Sequence, residues 1–68
     1  MELTSRLYKN VLHRYQGNKR QALAHLLEKR CFYSKKGAVW VGVCKAYAVA
    51  AFTMQYHLDL DEEFDNEW

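Results

Sequence analysis

Apolar residues recur at Leu3, Leu7, Val11 and Tyr15, with Tyr8 and Leu12 beside them, while Arg6, Lys9, Asn10, His13 and Arg14 take the remaining positions. Steps of three and four lay one apolar stripe along a helix, so a first helix is expected over residues 3–16. Gly17 can terminate it, and Asn18 can cap a second helix by accepting an orphan backbone N–H on its side-chain oxygen. Gln21 stands three residues on, where a capping box places Gln or Glu. Ala22, Leu23, Leu26 and Leu27 then form the apolar face of this second helix, with Gln21, His25, Glu28 and Lys29 turned to solvent. A connection this short joins the two helices as an antiparallel or angled pair.

Residues 31–43 admit two readings. In one, the second helix runs to Lys36, whose charge suits a helix C-terminus, Gly37 supplies the left-handed residue beyond it, and a third helix starts near Val39. In the other, Cys31-Phe32-Tyr33 and Ala38-Val39-Trp40-Val41 are strands joined by Ser34-Lys35-Lys36-Gly37, giving an α+β fold with a hairpin at 31–43. The alanines at 46, 48, 50 and 51 favour the helical reading downstream. The expectation is therefore an all-α fold of three helices, 3–16, 18–36 and 39–58. These make a single domain over residues 1–58, followed by an acidic flexible tail over residues 59–68.

The third helix is apolar nearly all round, with Tyr47, Val49, Phe52, Met54 and Tyr56 pointing in several directions. Two amphipathic neighbours cannot cover such a helix, and a chain of 68 residues is short of core. A homodimer would bury the rest, with Trp40, Tyr47, Phe52 and Tyr56 as the candidate self-association face. Lys45, Thr53, Gln55 and His57 interrupt the stretch from Ala38 to Leu58, so no membrane insertion is expected of it.

Charge sharpens this picture. Residues 1–45 hold ten Lys and Arg against two acids, a formal +8, whereas residues 46–68 hold six acids and no Lys or Arg, a formal −6. Such asymmetry suits a basic surface for phosphate or an acidic partner, with a tail able to shield it. Arg6, Lys9, Arg14, Lys19, Arg20, Lys29, Arg30, Lys35 and Lys36 are the candidate face for a nucleic acid or an acidic partner. Tyr8, Tyr15, Phe32, Tyr33 and Trp40 lie among them, and aromatics of this kind either stack on bases or fill a small core. Lys19 and Arg20 oppose the dipole of the second helix, which a nearby anion would relieve: a phosphate, a partner's carboxylate or the chain's own acids.

The run from Gly17 to Leu27 resembles the opening of the second helix in helix-turn-helix proteins of the Fis type. It covers about a sixth of the chain, and Glu28-Lys29-Arg30 follow where that family has a Gly-containing turn before its recognition helix.

Cys31, Cys44 and His57 lack the short Cys-x₂₋₄-Cys or His-x₃₋₅-His spacings of metal sites, so no metal is expected. Six of the eight acids lie beyond Leu58 rather than at a fixed acid–base separation, and Gly17, Gly37 and Gly42 are too scattered for a phosphate loop. No enzyme activity and no cofactor are expected. No secretory signal opens the chain and the cysteines form no disulfide framework, which suits a reducing, cytoplasmic setting. The function expected from sequence is that of a small non-enzymatic regulatory or adaptor protein that binds another macromolecule. A nucleic-acid-binding protein is the alternative.

Overall fold

The computed structural model describes the backbone of residues 3–66 and the side chains of residues 3–63. It contains helix α1 (Leu3–Arg14), helix α2 (Lys19–Ser34), a single 3₁₀ turn (Ala38–Trp40) and helix α3 (Val41–Asn66). The fold is all-α, as the periodicity predicts. No strand occurs among the described residues, so the hairpin alternative is set aside. Val39 and Val41, its proposed β-formers, instead sit in the 3₁₀ turn and at the start of α3.

The α1–α2 junction follows local chemistry. Gly17 N–H donates to Leu12 O at 2.9 Å and Gln16 N–H to His13 O at 3.0 Å, the paired bonds of a Schellman ending. Its left-handed position belongs to Gln16, at φ 55°, with Gly17 following at φ 84°. Asn18 caps α2 as expected, accepting from Gln21 N–H at 3.1 Å. The reciprocal half of a capping box is not made, because Asn18 N–H donates to Tyr15 O at 3.0 Å. At the second junction Gly37 has φ 108° and ψ −177°, a positive-φ extended conformation rather than the left-handed helical one expected. This swings the chain from the end of α2 into the 3₁₀ turn.

α2 packs mainly against α3, and α1 packs against both. The central cluster comprises Val11, Ala22, Leu26, Ala50, Ala51 and Met54, bordered by half-buried Leu7, Tyr8, Leu12, Tyr15, Leu23 and Tyr47. Small residues where α2 meets α3 let the helix axes approach, because helix separation follows the size of the side chains at the contact. Leu26 and Met54 are the large side chains that are fully buried. With each contributing about 1.5–3 kcal/mol by leaving water, the core is thin.

The main difference from expectation lies at the end of α3. The helix does not stop at Leu58 but continues to Asn66, so residues 59–66 extend it. The remainder of the expected tail, residues 67–68, lies outside the described residues. Gln55 Nε2 donates to Asp59 Oδ1 at 3.0 Å across one helical turn, supporting the continuation. The molecule is elongated, 47 × 19 × 18 Å.

Candidate interaction surfaces

The outer face of α3 carries four of the exposed large apolar residues, and Val39 in the 3₁₀ turn is exposed apart from them. Phe52 is 80% exposed and Tyr56 61%, with Val41 and Val49 also well exposed on the same face. Lys45 and Asp59, both exposed, belong to the same row, since positions 41, 45, 49, 52, 56 and 59 step by three and four. A shallow groove of about 180 Å³ runs between α2 and α3, lined by Leu23, Leu27, Arg30, Ala48, Ala51, Gln55 and Phe52 itself. The segment Ala38–Glu63 is by length and composition apolar enough to cross a membrane, and only 22% of its most apolar stretch is buried in the fold.

The four residues expected to form the self-association face are divided by the structure. Phe52 and Tyr56 share the outer stripe. Tyr47 points inward, stacked on Tyr33 with ring centroids 5.5 Å apart and planes 14° from parallel, and burial beside Tyr33 pushes its phenol pKa up. Trp40 belongs to the corner between α2 and α3, tilted against Tyr33 at 5.3 Å.

The basic residues fall into separate groups rather than one path. At the start of α2, Lys19 Nζ meets Asp61 Oδ2 at 2.6 Å and Arg20 Nη2 meets Glu62 Oε1 at 2.7 Å. The anion that relieves their conflict with the α2 dipole is thus supplied by the chain's own α3. The Asp61 hydrogen bond, opposed by slight desolvation, raises the Lys19 pKa above its ordinary value.

Arg14 and Lys29 form a second group around His25, whose Nδ1 lies 3.0 Å from the Tyr15 hydroxyl. Burial, then the charges of Arg14 and Lys29, lower the His25 pKa, with Glu28 acting the other way. Arg6 and Lys9 are exposed on α1, Lys9 beside a shallow hollow with Tyr8 and Thr53.

At the α2–α3 corner, Lys36 Nζ sits 4.8 Å from the Phe32 ring, 5.0 Å from Trp40 and 5.8 Å from Tyr33. Lys29 Nζ lies 5.5 Å from the centroid of the same Phe32 ring. Aromatic quadrupoles hold these ammonium groups, each contact worth about 0.5–1 kcal/mol at an exposed site. Phe32, Tyr33 and Trp40 are therefore engaged with lysines and with one another. Arg30 and Lys35 stay exposed beside them. The sequence places Lys29 and Lys36 on the candidate binding face and Lys36 at a helix C-terminus, and the cation–π role of Lys36 over Trp40 appears only where the turn brings Trp40 back over Tyr33.

Cys31 and Cys44 are free thiols lining one hollow with Leu27, Arg30 and Ser34. Cys44 Sγ donates to Arg30 O at 3.5 Å, a structural use of the thiol. Among the described residues no group of His, Cys, Asp and Glu is gathered as a metal site. No family model, no curated protein and no solved structure matches the chain.

Proposed function

We propose that this chain is a small, non-enzymatic adaptor of regulatory type that acts as a homodimer by binding another macromolecule. The observation that carries the reading is Phe52, 80% exposed at the middle of the longest helix and flanked on the same face by Val49 and Tyr56. A large aromatic held in water within an apolar row costs free energy that a protein cover recovers. Dimerisation leaves the basic corner of each copy, Lys29, Arg30, Lys35 and Lys36, free to meet an acidic partner.

A second reading, nucleic-acid binding, draws on that same corner and on Arg14, for which no ion pair occurs among the described residues. It is weakened by the loss of Lys19 and Arg20 to Asp61 and Glu62, and by the occupied faces of Tyr33 and Trp40, since base stacking needs open rings. The two readings separate in a capture experiment from native lysate, half of it nuclease-treated, with a Lys35→Glu/Lys36→Glu variant as control. The adaptor reading expects one defined protein partner that survives nuclease and is lost with the variant. Retention only in the untreated half would replace it with the nucleic-acid reading.

A further inference from the structure

The outer stripe of α3 has a symmetry that names its occupant. Seven residues is nearly two turns of helix, so Lys45 and Asp59 lie within about 20° of Phe52 around the axis, one about 10 Å before it and the other about 10 Å after. An antiparallel second copy of α3 whose two-fold axis passes at Phe52 sets Lys45 of each chain against Asp59 of the other. The same operation sets Val49 level with the partner's Gln55, one position short of its Tyr56, and Tyr56 level with the partner's Ala48. It also brings Phe52 beside Phe52 of the second copy and against the groove that this residue helps to line with Leu23, Leu27, Ala48 and Ala51. A projection and a recess side by side on one surface are what a two-fold contact requires, because each copy contributes both.

The geometry points to an isologous antiparallel α3–α3 dimer centred on Phe52, with two symmetric Lys45–Asp59 pairs fixing its register. A parallel pairing would set Lys45 against Lys45, and an unrelated apolar partner would have no need of opposite charges placed evenly about the aromatic.

This inference rests on the homodimer reading, and charge exchange tests it separately. Sedimentation equilibrium would be run on the native chain, on Lys45→Asp, on Asp59→Lys, on the double variant and on an equimolar mixture of the two single variants. Both positions are exposed, and unchanged circular dichroism would verify that each variant folds. Each single reversal acts twice across the two-fold axis and should weaken the dimer on the order of tenfold. The double variant, and the mixture through a heterodimer, should return to within about threefold of the native affinity. A dimer indifferent to the single reversals, or not restored by either exchange, would overturn this register while leaving the homodimer intact. A native monomer would overturn both, and flotation of that monomer with phosphatidylcholine vesicles would give the stripe to lipid instead.

Discussion

The inner face of α3 packs Ala46, Ala50, Ala51 and Met54 against the other helices, whereas its outer face holds out Val41, Val49, Phe52 and Tyr56. A helix serving only the monomer core would place its bulk the other way, because buried area scales with side-chain size. The inner alanines allow close helix packing, and the outer stripe is left with more apolar area than the monomer can use. On the proposed reading, two jobs are divided between two faces of one helix, folding inside and association outside.

Substitutions can break that division. The largest effect is expected inside: Leu26→Ala or Met54→Ala should cost about 2–5 kcal/mol, enough to abolish the cooperative thermal transition of so small a domain. Phe52→Ala, although it removes more side chain, should leave the helical circular dichroism of the dilute monomer intact and remove its self-association. An unfolded Phe52→Ala monomer would show that the outer face serves the fold after all.

Overpacking comes next. Ala50→Leu should destabilise by about 1–3 kcal/mol in chemical denaturation because Ala50 is fully buried in the central cluster and the added atoms would overpack it. The equivalent enlargement outside, Ala48→Leu at the groove, should leave the monomer's stability nearly unchanged and weaken the dimer.

A smaller effect concerns the contrast along α3, between its apolar first half and its acidic end. Asp61→Asn with Glu62→Gln releases Lys19 and Arg20, raising the formal charge from +2 to +4. Any affinity for DNA or RNA should increase and should fall steeply with salt, as filter binding at two ionic strengths would show. No binding by this variant at low salt would remove the nucleic-acid reading.

The smallest effect is one of pH. Because the fold lowers the His25 pKa, the unfolded chain takes up the proton first as pH falls below about 6.5, so stability should decline gently between pH 7 and pH 5. Two-dimensional NMR should place the His25 titration below that of an unfolded histidine, and His25→Gln should flatten the decline in thermal midpoint.

The three helices and the cap at Asn18 were legible because periodicity, Gly17 and a side-chain acceptor are all local signals. The course of residues 59–66 was not. Their acids read as a solvated tail, and what gives them a place is tertiary, the meeting of Asp61 and Glu62 with Lys19 and Arg20 forty-two residues away. The stripe itself was half legible. In a helix apolar nearly all round, periodicity cannot tell the inward aromatic from the outward one, so Tyr47 and Phe52 look alike in sequence and only the packing of the other helices separates them. Trp40 was assigned to the same face because the 3₁₀ turn that carries it to the corner leaves no periodic trace.

Sedimentation equilibrium of the native chain beside Phe52→Asp, from low to high micromolar concentration, separates folding on the inner face of α3 from association on its outer face. The native chain should approach twice its 8.1 kDa mass. The variant should stay at the monomer mass with its helical circular dichroism retained, since the added charge lies in water once the dimer is gone. A native chain that remains at 8.1 kDa throughout, or a Phe52→Asp chain that is unfolded as a monomer, would contradict that division between the faces.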